Sequence, residues 1–207
     1  MIRIISVASL TLTLIFVLYL PSIHPPARFL AQMRTEHALN AGYWGAERAT
    51  HILDQGLAMN AGLSSASPVP NASHAPKASQ INEAVGHEME KVSLRFFGNA
   101  YFKSIEALLA LACFRIASLL AWMPVEVFLL FALLADGFFV RIRRSAEFKH
   151  LDPEWFALHA SALTLLLCGS FVVFVTPITV PPWALAAIPP VGGLFLSRVV
   201  ANFHRRG

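Results

Sequence analysis

Three apolar runs in the sequence have the length of a transmembrane helix. They extend from Ile4 to Leu20, from Phe156 to Val175 and from Trp183 to Ala201. A helix crosses the hydrocarbon core of a bilayer with about 17–25 residues. The pattern therefore predicts one span near the amino terminus and two near the carboxy terminus. The segment PSIHPPARF after the first run lacks a small-x-small cleavage site, which favours an uncleaved anchor over a signal peptide.

A fourth apolar stretch, from Ser104 to Val140, is too long for one simple span. As a continuous helix it would measure roughly 55 Å, nearly twice the thickness of the hydrocarbon core. It therefore forms either one span with a long entry helix or a two-span hairpin broken at Pro124.

Basic motifs at the ends of two apolar runs favour the single span. RIRR lies at 141–144 and HRRG at 204–207, and two spans separate them. Both motifs then lie on one side of the membrane, which the positive-inside rule makes cytoplasmic. With a cytoplasmic amino terminus, one span at about 116–136, kinked at Pro124, brings the chain back to that side. The hairpin remains as a five-span alternative.

The polar segment between the first and second spans predicts a helical region in the periplasm of a bacterial cell. Apolar residues at helical spacing indicate two amphipathic helices within 25–62, with a break near NAGYWG. Residues 63–80 are rich in Ser, Pro and Ala, as in flexible linkers.

The predicted fold class is an all-α membrane protein with about four transmembrane helices and a helical periplasmic region between the first and second. Its domains are an anchor at 1–20, the periplasmic region at 21–103, and a membrane domain at 104–207 with spans at about 116–136, 156–175 and 183–201.

Composition agrees with the membrane prediction and limits the chemistry. Hydrophobic residues make up 56% of the 207 residues and charged residues 14%, which leaves little room for a catalytic domain with its own core. The net charge of +4 comes from cations beside apolar runs, so it indicates topology rather than nucleic-acid binding. Cys113 and Cys168 lie in apolar segments without ligand spacing and are predicted to be buried.

Glu126 is the least expected residue of the predicted second span. An ionised carboxylate near mid-membrane costs a few kcal/mol on insertion scales. Arg115 lies on nearly the same helix face but about 16 Å away along the axis, so the partner of Glu126 must come from another helix or protomer. The residue either serves a proton or ion path or is a neutral group hydrogen-bonded across a helix interface.

Asp136 lies about one turn before Arg141 at the predicted cytoplasmic boundary. We expect it to pair with Arg141 or with a cation of a neighbouring chain, and Gly137 to permit close helix packing. Gly192 and Gly193 predict a similar close approach in the last span. The boundary arginines predict orientation and contact with anionic lipid headgroups: Arg141, Arg143, Arg144, Arg205 and Arg206.

No catalytic, cofactor-binding or metal-ligating residue is predicted. His150, Asp152, Glu154 and His159 match no compact metal site. The segment LDPEW is instead typical of a helix start, with Asp152 as the N-cap and Pro153 in the first turn.

The second half of the chain resembles a family of integral membrane proteins encoded in integrating conjugative elements and conjugative plasmids. The likeness lies in YFKSIEALLALACFRIASLLAWMPVEVFLLFALLADGFFVRIRR and in the connection VTPITVPPWALAAIPP. The shared features are Arg115, Pro124, the pair Asp136 and Gly137, and the arginines of RIRR. Glu126 departs from the pattern, because a leucine-like residue is expected there.

The resemblance implies association with conjugative DNA transfer, near the type IV secretion machinery or its coupling ATPase, and implies no known catalytic activity. We therefore expect a non-enzymatic inner-membrane scaffold or assembly partner without cofactors. Its expected partners are other conjugation membrane proteins, the coupling ATPase among them, further copies of the chain, and lipids, but not nucleic acid directly. The alternative is a small channel or transporter subunit that uses Glu126.

Overall fold

The computed structural model describes residues 2–66, 100–146 and 153–203, and every regular element in these residues is a helix. This result confirms the predicted all-α fold class. The helices are α1 (Ile2–Ile23), α2 (Pro26–Trp44), α3 (Ala46–Ala66), α4 (Ala100–Leu120), α5 (Met123–Ala146), α6 (Pro153–Val175), α7 (Pro182–Ala186) and α8 (Ile188–Ala201).

Four segments are long and apolar enough to cross a membrane, as predicted. They are Arg3–Ile23, Met123–Ala146, Glu154–Val175 and Pro182–Ala201, and the last comprises α7 and α8. In α1, hydroxyl groups donate to carbonyls of the preceding turn, for example Thr11 Oγ1 to the Val7 oxygen at 2.8 Å. Such bonds satisfy polar side chains within an apolar helix.

The second span begins later than the sequence predicted. A span at 116–136 would be continuous through Pro124, but the structure ends α4 at Leu120 and starts α5 at Met123. Pro124 is the second residue of α5, where its missing N–H costs no helical hydrogen bond. Pro124 therefore starts a helix, whereas a kink inside a span was predicted.

Helix α4 does not supply the extra span of the five-span alternative. It carries Lys103, Glu106 and Arg115 within its 21 residues and is not among the segments apolar enough to cross a membrane. The four-span count therefore rests on α5 as the second span.

The chain divides into two compact units. One, the span unit, contains Met1–Leu18 and Ser118–Gly207, and the other, the α2–α4 unit, contains Tyr19–Ala117. The domain boundary was predicted at 103/104, whereas α4 belongs to the second unit as far as Ala117. The predicted linker at 63–80 begins inside α3, which continues to Ala66, and residues 67–80 lie outside the described residues.

In the α2–α4 unit, a tight turn at Gly45 lets α3 pack against α2. Gly45 has φ 88° and donates its N–H to the Ala41 oxygen at 3.0 Å, a conformation that favours glycine. The turn falls within the predicted break at NAGYWG. A Cβ on Gly56 would lie 2.8 Å from the Phe114 Cα, so α3 also contacts the backbone of α4.

In the span unit, α8 packs against both α5 and α6. A Cβ on Gly137 of α5 would lie 2.5 Å from the Ser197 oxygen, and one on Gly193 would lie 2.7 Å from Leu130 Cδ2. The contact between Leu130 and Gly193 comes before the contact between Gly137 and Ser197 along both helices, so α5 and α8 are parallel. Gly192 faces α6, at 3.5 Å from Leu166 Cδ2.

Candidate functional site

A buried ion pair joins α2 to α4. Arg115 Nε donates to Glu36 Oε2 at 2.9 Å, and Arg115 Nη2 donates to Glu36 Oε1 at 2.5 Å. Gln32 Nε2 donates to the same Oε1 at 3.1 Å. The side chain of Arg115 is 0% exposed and that of Glu36 is 3% exposed. Each carboxylate oxygen thus accepts a hydrogen bond in a site closed to water.

The bidentate geometry of this ion pair fixes the position of α2 against α4. A guanidinium and a carboxylate joined by two parallel hydrogen bonds are both strong and directional. Burial of both groups makes their separation costly, because either one alone would be an uncompensated charge in a low-dielectric interior. The pair therefore has a structural role, because the two side chains form hydrogen bonds with each other between α2 and α4.

Glu36 is the partner of Arg115 that the sequence prediction missed. The sequence did indicate that Arg115 has a partner, since a cation in an apolar helix must be paired. The partner lies 79 positions away, in the polar segment, where Glu36 is one of several acidic residues. The signal for Glu36 was its helical spacing of seven residues from Phe29 and four from Asn40, which places all three on the buried face of α2.

Cys113, two residues before Arg115 on α4, is buried as predicted. Burial raises the pKa of its thiol above the ordinary value of 9.0, so the thiol stays protonated and unreactive at neutral pH. Cys168 of α6 is half-buried, and its Sγ lies 3.6 Å from Ser9 Oγ of α1.

Glu126 lies in the first turn of α5, at the opposite end from the arginines, and not near the middle of its span as predicted. The shift follows from the start of α5 at Met123. Glu126 is 3% exposed, and neither of its carboxylate oxygens has a hydrogen-bond partner in the described part of the chain. The amino-terminal end of a helix carries partial positive charge, which favours an acidic side chain there.

The predicted pairing of Asp136 with Arg141 is not formed. At 3.6 residues per turn, the two side chains project about 140° apart around the helix. Arg141 instead lies over the ring of Phe203, 5.4 Å from its centroid, while Asp136 is exposed. Among the residues that the structure describes, Asp136 has no ion-pair partner.

A hydrogen bond joins the arginine-containing ends of α5 and α8, hereafter the arginine ends. Arg144 Nη1 donates to Asn202 Oδ1 at 2.5 Å, and Asn202 Nδ2 donates to the Arg198 carbonyl oxygen at 2.8 Å. Arg143 is exposed nearby on the last turn of α5. Arg205 and Arg206, also predicted at this boundary, lie outside the described residues, as do His150 and Asp152.

Comparison with known proteins assigns the chain to a family. The family described as IncC plasmid conjugative DNA transfer protein DtrJ-like matches residues 40–204. This segment includes α3 to α8, hence Arg115, Glu126 and the arginine ends, and begins after Glu36. Comparisons with curated proteins and with solved structures find no match. The family match covers most of the sequence and agrees with the resemblance noted above, so the chain belongs to the DtrJ-like family of conjugative DNA transfer proteins.

Proposed function

We propose that this member of the DtrJ-like family is a non-enzymatic scaffold or assembly partner in the inner membrane of the DNA donor cell. The observation that carries the proposal is the Glu36–Arg115 pair, which uses two charged side chains to hold helices at a fixed angle. A buried ion pair whose groups satisfy each other holds the helices in place and leaves their outer surfaces to contact other proteins. It does not suit a group that transfers protons or binds a small ligand.

The arrangement of the span unit supports the proposed topology. Helices α5 and α8 are parallel, α6 connects them in sequence, and the arginines lie at matching ends of α5 and α8. Such a basic end belongs on the cytoplasmic side by the positive-inside rule. Residues 21–103 then lie in the periplasm, and both termini lie in the cytoplasm.

The proposed partners follow from this orientation. The arginine end would contact anionic lipid headgroups and is open to cytoplasmic proteins, of which the coupling ATPase of the secretion machinery is our first candidate. The α2–α4 unit would contact transfer proteins on the periplasmic side.

Transfer frequency from donor cells tests the scaffold. Deletion of the gene is expected to abolish transfer, and wild-type protein supplied from a separate plasmid is expected to restore it. Arg115→Ala should fail to restore transfer, because Glu36 is left buried and unpaired. Arg34→Ala, which removes an exposed cation two residues from Glu36, is the matched control and should restore it. Normal transfer after deletion would contradict the proposal.

A small proton or ion channel is the second candidate, favoured by Glu126 alone. Its buried carboxylate has no hydrogen-bond partner among the described residues, as expected of a group that exchanges protons. Liposomes containing the purified chain would then show a flux that Glu126→Gln removes and Glu154→Gln, at an exposed acid in the first turn of α6, preserves. Absence of flux with the wild-type chain would exclude the channel.

A further inference from the structure

We propose that two copies of the chain associate in the membrane through one flank of the α5–α8 pair, where Asp136 of each copy binds Arg198 of the other. Both residues are exposed on helices apolar enough to cross a membrane, and neither has an ion-pair partner in the described residues. An exposed charge on such a helix is costly unless it reaches the headgroup region or pairs with an opposite charge, and an exposed acid and an exposed base on neighbouring helices can pair with those of another chain.

Asp136 and Arg198 lie at the same depth. Gly137 of α5 is in backbone contact with Ser197 of α8, and Asp136 and Arg198 are their immediate neighbours. With a rise of 1.5 Å per residue along parallel helices, the two residues differ in depth by about 3 Å. The acidic Asp136 and the basic Arg198 therefore lie at nearly the same depth in the span unit.

The two residues also project from the same flank. In parallel right-handed helices that face each other at Gly137 and Ser197, the residue before Gly137 and the residue after Ser197 turn to the same side. Other residues that helical geometry assigns to this flank, hereafter the acidic–basic flank, are exposed: Val125, Leu129 and Ala132 on α5, and Val191 and Leu194 on α8.

Helix α6 does not cover the acidic–basic flank. It contacts α8 at Gly192, which faces Leu166, and at Phe195, whose ring centroid lies 6.4 Å from that of His159. These positions are about 140° and 160° around α8 from Ser197, so α5, α8 and α6 form a row. The row leaves the acidic–basic flank available to another layer of helices.

Charge complementarity and two-fold symmetry favour a second copy as the occupant. Two copies inserted in the same direction are related by a two-fold axis along the membrane normal, which preserves depth. An axis that passes over the Gly137–Ser197 crossing places α5 of one copy on α8 of the other. Asp136 then meets Arg198 of the second copy, and Arg198 meets its Asp136. Two reciprocal ion pairs form from one self-complementary surface.

The opposite flank has a composition that suits lipid. At the depth of Asp136 it carries Phe138, which is 53% exposed, and one turn earlier Phe131, which is 74% exposed. The acidic–basic flank has smaller residues, with Ala132 one turn before Asp136, and small residues let helices approach closely. Phe138 therefore provides a control position of equal depth.

Disulfide trapping between two differently tagged copies tests the contact. In a background with Cys113→Ala and Cys168→Ala, one copy carries Asp136→Cys and the other Arg198→Cys, and membranes are oxidised. The product with both tags should exceed that of Phe138→Cys with Arg198→Cys by at least about tenfold, since cysteines with Cα atoms beyond about 7 Å do not bridge. Equal yields, or no product with both tags, would overturn the proposal.

Charge reversal provides a second measurement that does not remove the charges. Asp136→Arg alone and Arg198→Asp alone place like charges across the interface, so each variant should lose capture of its own differently tagged copy. A mixture of the two should regain capture, because every pair is again of opposite sign. Recovery only when both changes lie in one chain would show an intrachain pair instead. Both assays use cells without a conjugation system, so their result is independent of the scaffold proposal.

Discussion

At the scale of single residues, the chain uses its few buried charges in two different ways. Arg115 and Glu36 neutralise each other through two hydrogen bonds, with Gln32 as a third donor. Glu126 is equally buried but has no hydrogen-bond partner in the described residues, and lies in the first turn of α5. The first arrangement joins two helices, whereas the second places a single carboxyl group at the start of a helix, where the partial positive charge of the helix end favours it.

The ion pair should make a large contribution to the stability of the α2–α4 unit. Arg115→Ala leaves the Glu36 carboxylate buried without its cation and is expected to lower the free energy of unfolding by about 3–5 kcal/mol. The double substitution Glu36→Leu with Arg115→Met removes both charges and should cost much less. Thermal unfolding in detergent measures the difference, and equal losses for the single and double variants would contradict the assignment.

At the scale of helices, the apolar periodicity predicted most elements, and the errors have physical causes. The first, third and fourth spans were predictable because each is an apolar run of span length that ends at a polar or proline-containing segment. The start of α5 was not, because a proline inside an apolar run is compatible with either a kink or a helix start. Tertiary contact decides between them, and the sequence does not show that α4 packs with α2 through Arg115.

The contact between α5 and α8 depends on glycine at position 137. Gly137→Ala would bring a methyl group within 2.5 Å of the Ser197 oxygen, so the two backbones must separate. We expect a destabilisation of about 1–3 kcal/mol, the usual cost of overpacking. Gly169→Ala in α6 is the matched control, because a Cβ there meets no atom within 4 Å. It should be neutral or slightly stabilising in the same thermal assay.

At the scale of the whole molecule, four apolar helices and one polar helical region define a topology that can be tested. Reporter fusions after Ser65 and after Ala146 are expected to lie on opposite sides of the membrane, the first periplasmic and the second cytoplasmic. Ser65 lies near the end of α3 and Ala146 ends α5, so both sites avoid interrupting a helix. Activity of the same reporter at both sites would contradict the four-span arrangement.

The most direct test of the scaffold role is capture of the coupling ATPase with the chain from donor-cell membranes in mild detergent. We expect wild-type protein and Arg34→Ala to retain the ATPase, whereas Arg143→Ala, which removes an exposed cation from the arginine end of α5 and is present in equal amount in the membrane, captures less of it. Equal capture by all three would show that the arginine end does not form this contact. Absence of the ATPase from the wild-type sample would contradict the proposed partnership itself.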